Sequence, residues 1–263
     1  MAAVAASCIF ALALGAMFAP ALAPYDPGAQ DLRKDLAAPS LEHPLGCDKL
    51  GRDQLSRIIY GARISLYVGL LAVSLSAGLG LIMGAAAGFS GGAVDRLLMR
   101  LVDVLLAFPG ILLAIAMSAA LGPSLTNVVV ALSVIGWTGY ARLVRAEVMS
   151  ARRLDHVVAA EALGAKPLAI MVRHVLPLLV APLAVQATFG MATAIVAEAS
   201  LSFLGLGVQP PTPSWGSMVN EGRSFILVAP HMTLYPGAAI FVTVLSLNLA
   251  GDALRDRLDV RAR

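Results

Sequence analysis

Charged side chains are scarce in this sequence. They make up 13% of its 263 residues, whereas 59% are hydrophobic. Soluble domains carry about 25% charge, and a soluble core of this length cannot hide so much apolar surface. The scarcity excludes an ordinary soluble enzyme and points to an integral membrane protein. Cysteine is nearly absent. Cys8 lies in an apolar run and Cys47 in a polar one, so no disulfide is expected between them. No C-x-x-C pair or Cys/His cluster offers a metal site, and no basic tract suggests nucleic acid as a partner. The usual marks of catalysis are missing too, with no H-E-x-x-H and no G-x-S-x-G. Gly46-Cys47-Asp48-Lys49-Leu50-Gly51-Arg52 is the nearest approach to a phosphate loop. Arg52 and Asp53 stand where Lys and Ser or Thr are required, so it reads as a turn. No lysine or arginine precedes the first apolar run, and Pro24 follows Ala21-Leu22-Ala23 directly. Both facts oppose signal-peptide cleavage there, so the run is expected to stay as a span.

Six apolar segments are present, at about 2–23, 64–89, 97–121, 125–144, 179–199 and 229–250. Each approaches or exceeds the roughly 20 residues with which a helix crosses the hydrocarbon. Lysine and arginine concentrate in the connections 90–96, 145–178 and 251–263, which places these inside the cell. The connection 200–228 holds only Arg223. The connection 24–63 is the exception to the rule, with six basic residues among six acids.

Ser76, Gly80, Gly84 and Gly88 recur every four residues and form one stripe on the second segment. Such a stripe permits close helix packing in lipid, although glycine is also generally common in membrane helices. Pro109, Pro182 and Pro236 interrupt spans and permit kinks. Asp103 is expected to pair locally with Arg100. Glu198 is expected at the outer end of its span, facing water or a gate, and His231 at the interface.

The stretch "VVAAEALGAKPLAIMVRHVLP" at 157–177 is polar for this chain. A helix over 151–163 is expected to end at Gly164, and Pro167 to open a second helix. Leu168, Met171, Val172 and Val175 would share one face of that second helix by their spacing. Spacing alone leaves two readings open: a hairpin that docks into a groove, or an amphipathic loop lying on lipid headgroups.

The stretch resembles the cytoplasmic EAA loop of permease subunits in ATP-binding-cassette (ABC) importers. Ala159, Ala160, Gly164, Leu176 and Pro177 match that motif, while Val158 stands where a glutamate is usual. "HPLGCDKLGRDQLSRIIYGARISLYVG" (43–69), "LSFLGLG" (201–207), "PSWGSM" (213–218) and "NLAGDALRDRLD" (248–259) narrow the likeness. They are similar to the second, C-type permease subunit of dipeptide and oligopeptide importers, and nickel and glutathione importers have similar subunits.

The resemblance spans almost the whole chain. It implies an all-α polytopic membrane protein of about six transmembrane helices with the type I ABC importer permease fold. A first transmembrane helix at 1–23 and an outer segment at 24–63 would precede a core permease domain at 64–263. That core would contain a coupling loop at 150–178 and an outer loop at 200–228. Ala159, Ala160, Glu161, Ala162, Leu163, Gly164, Ala165, Lys166 and Pro167 would meet an ATPase. Glu198, Leu201, Ser202, Phe203, Leu204, Gly205, Trp215 and Gly216 would form an outer gate or contact a binding protein.

The implied partners are a second homologous permease, two ATP-binding subunits that hold ATP and Mg, and an extracytoplasmic substrate-binding protein. The chain itself would carry no cofactor and catalyse nothing. Its place would be the bacterial inner membrane, multi-pass, with both termini cytoplasmic. Di- or oligopeptides are the expected cargo, with nickel or glutathione as the alternative. A secondary carrier would need buried charges and broken helices in two related halves, and a membrane enzyme a convergent polar cluster.

Overall fold

The computed structural model describes residues 2–258. Met1 and residues 259–263 lie outside the described residues, and with them Arg261 and Arg263 of the basic C-terminal connection. The architecture is all helical, and among the described residues the only β pairing is an isolated bridge between Cys47 and Asp53. Helix α1 spans Ala2–Met17, and a single turn at Ala19–Leu22 follows Phe18. An extended segment leads to α2 (Gln54–Ser90). Then come α3 (Gly92–Leu106), α4 (Gly110–Leu121), α5 (Leu125–Ala151), α6 (Asp155–Ala162), α7 (Pro167–Phe203), α8 (Trp215–Gly222) and α9 (His231–Leu258).

Among the described residues, α2, α5, α7 and α9 are each long and apolar enough to cross a membrane, and the bent pair α3–α4 makes a fifth crossing if taken as one. With 16 residues, α1 is shorter than the ~20 a straight crossing needs. It packs against α2 and α9.

Three boundaries differ from the sequence expectation. The 97–121 segment is not one helix: α3 and α4 meet at 83° across Ala107–Pro109. Proline lacks an N–H to continue the ladder and drives its predecessor out of the helical region, so Pro109 caps a new helix instead. Helix α2 begins ten residues before the apolar run, because the Asp53 carboxylate accepts the Ser56 N–H at 2.8 Å and caps it there. The hairpin helix starts at Asp155, after a turn over Arg152–Leu154, and not at 151.

The most extensive helix contact joins α2 and α5, which run parallel. Ser76 meets Gly136, Gly80 meets Tyr140, Gly84 meets Val144 and Gly88 meets Val148, a constant offset of sixty positions. The small residues leave no room between the backbones. A Cβ on Gly84 would lie 2.5 Å from the Ala141 carbonyl oxygen, and one on Gly88 2.9 Å from that of Arg145. With no hydrophobic drive between helices in lipid, this close contact supplies the association. Helix α3 is tied to the same seam by Asp95 with Arg145 and by Asp103 with Arg142, the latter at 2.5 Å. Asp103 therefore pairs across helices, not with Arg100. The partner sits on α5, where sequence distance gives no hint of it.

Candidate functional site

Helix α6 and the start of α7 form a hairpin at one end of the bundle. Its turn is a complete Schellman closure. The Ala165 N–H donates to Ala160 O at 3.1 Å, and the Gly164 N–H to Glu161 O at 2.9 Å. Gly164 sits at φ +81°, a left-handed conformation that glycine adopts without strain. Lys166 is extended, and Pro167 then opens α7. Val157, Ile170, Val175 and Leu179 anchor the hairpin against Val144, Val148 and Ala151 of α5, and Ala160 and Ala165 pack inward on the same cluster.

The outward side shows Val158, Ala159, Glu161, Ala162, Gly164, Lys166 and Pro167. It also shows two large apolar side chains almost free of contact, Leu163 at 89% and Leu168 at 75% exposure. The expected single face of Leu168, Met171, Val172 and Val175 is split. Residues Met171–Val175 are wound as a π-helix, so buried Ile170 and Val175 fall five apart while Leu168 and Val172 turn outward.

The opposite end is closed by a buried polar network. The segment before α2 folds over it, with Gly51 at φ +70° packed so tightly on the Asp31 backbone that a Cβ there has no space. Arg52 Nε donates to Asp48 Oδ2 at 2.5 Å and its Nη2 to Glu221 Oε2 at 2.8 Å. Arg57 Nη2 donates to the same Glu221 oxygen at 3.1 Å. His43 Nδ1 lies 2.9 Å from Asp53 Oδ1, and His231 Nε2 lies 3.0 Å from Cys47 O. His231 is thus buried in this network and not at an open interface. Lys34 pairs with Glu42 at the surface, which holds the Glu42 carboxyl below its ordinary range and raises the Lys34 ammonium. Burial, with the Asp53 charge nearby, pushes the Cys47 thiol up to about 11. Three of the six basic residues in this segment, Lys34, Arg52 and Arg57, are thus paired with acids.

Beneath this cap, Glu198 is fully buried and faces neither water nor an open gate. It accepts hydroxyl hydrogen bonds from Ser65 at 3.3 Å and Ser202 at 2.7 Å, joining α2 to α7. Trp215 is also fully buried, its Nε1 donating to Ile58 O at 3.0 Å and its ring lying on Gly61. Gly216 brings α8 onto the Ala199 backbone. Leu201 and Ser202 are buried as well and Phe203 is half-buried, so only Leu204 and Gly205 of the expected outer contact residues are exposed. The sequence shows Asp48 and Arg52 only as part of a turn and does not single out Arg57 or Glu221. Their one signal is the density of charges at 48, 52, 53 and 57 in a chain otherwise poor in them.

Between the two ends lies a half-open cavity of about 630 Å³, walled by α2, α4, α5, α7 and α9. Ala72, Gly110, Ala114 and Phe189 give it an apolar surface, and no lining residue is charged. Among the described residues there is also no group of three or more potential metal ligands.

Residues 78–263 match the family model of the binding-protein-dependent transport system inner membrane component. The chain belongs to that family. Residues 1–39 of this transport-system membrane component also match the N-terminal transmembrane domain of oligopeptide transport permease C. The glutathione transport system permease protein GsiD of Escherichia coli O6:K15:H31 (strain 536 / UPEC) is 46% identical over 264 residues, covering 100% of this chain and 87% of that one. A protein of Brucella suis biovar 1 (strain 1330), whose name assigns it to a peptide transport system, is 48% identical over 250 residues, with 95% and 84% coverage.

Two solved structures share the fold. One is an amino acid ABC transporter with histidines (TM-score 0.61, 17% identity, 78% of this chain and 95% of that one). The other is an inward-facing MetNI methionine ABC transporter (0.59, 18%, 77% and 96%). The chain is thus a C-type ABC importer permease of the type I fold, a membrane-spanning transport subunit and not an enzyme.

Proposed function

We propose that this permease subunit forms half of the path of an ATP-driven importer of di- or oligopeptides, and that the α6–α7 hairpin is its contact with the ATPase. The observation that carries the reading is the hairpin's construction. It has a rigid Schellman turn and a packed inner side, yet presents Leu163 and Leu168 outward with nothing against them. Together with half-exposed Val158 and Val172 on the same hairpin they make a group of exposed apolar side chains, which supports its reading as an interaction surface.

The coupling loop 150–178, with Ala159 to Pro167 at its tip, lies in the cytoplasm in this reading, together with both termini, in a bacterial inner membrane. The region 24–63 and the loop 200–228 face outward, where Leu204 and Gly205 remain free to meet a substrate-binding protein. Glu198, Leu201, Ser202, Trp215 and Gly216 support that surface from within. A second homologous permease completes the path. Two ATP-binding subunits below hold ATP and Mg, and their closure moves the hairpin between two positions.

Peptide is favoured as cargo by the relative named for peptide transport and by the match to the oligopeptide permease domain. Glutathione is the second reading, supported by the GsiD relatives, and nickel the third. Calorimetry on the partner binding protein tests the cargo directly. Heat of binding with tri- to pentapeptides and none with glutathione or Ni²⁺ is the expected result, and binding of Ni²⁺ alone refutes it.

A further inference from the structure

The cavity between α2, α4, α5, α7 and α9 holds six polar side chains: Ser76, Tyr140, Gln186, Thr193, Ser200 and Asn248. Five of them have spent a donor on a backbone carbonyl. Thr193 donates to Phe189 O at 3.0 Å, Ser200 to Val196 O at 2.8 Å and Asn248 Nδ2 to Val244 O at 3.0 Å. Tyr140 donates to Gln186 O at 3.3 Å and Ser76 to Ser133 O at 3.5 Å. Their remaining capacity is acceptor oxygen, apart from the second amide N–H of Asn248. Gln186 differs: its carbonyl takes the Tyr140 proton, but its side-chain amide has no partner among the described residues. It is the only lining side chain with its full donor and acceptor set free, on a wall that carries no charge.

Such a surface discriminates by chemistry. A compact anion finds three amide N–H groups, two on Gln186 and one on Asn248, but no cation to offset the loss of its water. A bare divalent cation finds neutral oxygens at scattered positions and no carboxylate or imidazole. A neutral peptide unit presents an N–H and a C=O together, which one side-chain amide satisfies reciprocally, while the acceptor oxygens around it take further N–H groups.

We propose that this cavity is a cargo subsite in the path and that Gln186 is its specificity-determining residue, pairing through its amide with the backbone of a neutral peptide in transit. The inference rests on the reading of the chain as an importer's path-forming subunit, and deepens it by assigning the cargo contact to this chain's own wall.

The test uses the whole importer, with its partner permease, ATPases and binding protein, in proteoliposomes supplied with radiolabelled tri-alanine. Q186L is expected to lower tri-alanine transport per ATP hydrolysed about tenfold, the worth of one hydrogen bond left unmade. ATP hydrolysis stimulated by the loaded binding protein is expected to persist. Q186N, which keeps the amide on a shorter arm, is expected to retain transport to within about threefold. Wild-type transport in Q186L overturns the subsite while leaving the importer reading intact. Equal losses in Q186L and Q186N, or failure of Q186L to assemble with the partner permease, overturn it in favour of a packing role. If the wild-type importer carries no tri-alanine but carries Ni²⁺, the peptide reading itself falls and the subsite with it.

Discussion

Arg57 of α2 and Glu221 of α8 stand 164 positions apart in the chain and meet with Nη2 and Oε2 separated by 3.1 Å. The arginine side chain is 2% exposed and the glutamate 16%. Glu221 is also the second partner of Arg52, so one carboxylate oxygen holds two guanidinium groups and ties the segment before α2, and the start of α2, to α8. Glu221→Ala leaves two buried cations with only Asp48 between them. The expected cost is about 3 kcal/mol, typical of breaking a buried ion pair from one side. A fall in the thermal unfolding midpoint of the detergent-solubilised protein reports it. Proteolysis should then begin within residues 24–53. An unchanged midpoint shows that the network is dispensable.

The seam between α2 and α5 predicts a contrast between two glycines of one helix. Gly84→Ala drives a Cβ to 2.5 Å from the Ala141 carbonyl and should cost about 1–3 kcal/mol through forced separation of the helices. Gly78 has nothing within 4 Å of such an atom, so Gly78→Ala should be neutral or stabilising by up to about 1 kcal/mol. Heat survival of the two variants in detergent separates them, and equal behaviour refutes the seam.

At the hairpin, Gly164→Arg meets open space but adopts φ +81° at a cost of about 1–2 kcal/mol. The variant is expected to insert and fold, and to lose both uptake and co-purification of the ATPase. Gly164→Asn, whose short side chain tolerates the left-handed region, should keep a larger share of both. Normal transport by Gly164→Arg places the ATPase contact elsewhere.

Cys47 gives a prediction in pH. Burial, with Asp53 beside it, pushes its thiol up to about 11 from the ordinary 9.0. The folded state thus favours the neutral thiol. The stability this contributes is whole below pH 9 and is lost as pH rises from 9 through 11. In a Cys8→Ser background, maleimide should fail to label the native protein at pH 8 and label it fully in SDS. Cys47→Ala should flatten the alkaline loss of stability between pH 9 and 11. Rapid native labelling refutes the burial.

The features legible in the sequence are those written locally. Hydrophobic runs located the four long apolar helices α2, α5, α7 and α9, while the first run is a short helix and the third is bent; the four-residue spacing of Ser76, Gly80, Gly84 and Gly88 lies on the face that meets α5. Gly164 and Pro167 punctuate a hairpin that the structure builds at those positions. Features that depend on a distant partner were not legible. Nothing near Asp103 announces Arg142, and nothing near Arg57 announces Glu221. Glu198 looked like a surface acid because it ends an apolar run, yet it is fully buried and held by Ser65 of α2 and Ser202 of α7. The π-helical residues Met171–Val175 escaped for another reason. Periodicity analysis assumes one pitch, and a five-residue turn sends the next side chain elsewhere. Gln186 gave no signal because a single amide among aliphatic residues is ordinary until its neighbours' protons are accounted for.

The 83° break at Pro109 has a consequence for the chamber beside it. Gly110, Ile111 and Ala114, the first residues after the break, line that space, and the other walls come from long helices locked by close backbone contact or by crossing contacts. Separating two locked rods strips packing along many turns at once, whereas swinging a helix of about three turns on three non-helical residues disturbs the shorter contact that Ala114 and Ile115 make with their neighbours. The chamber therefore has one door leaf and several fixed jambs. Any change in its width is cheapest where the chain has already been cut by a proline.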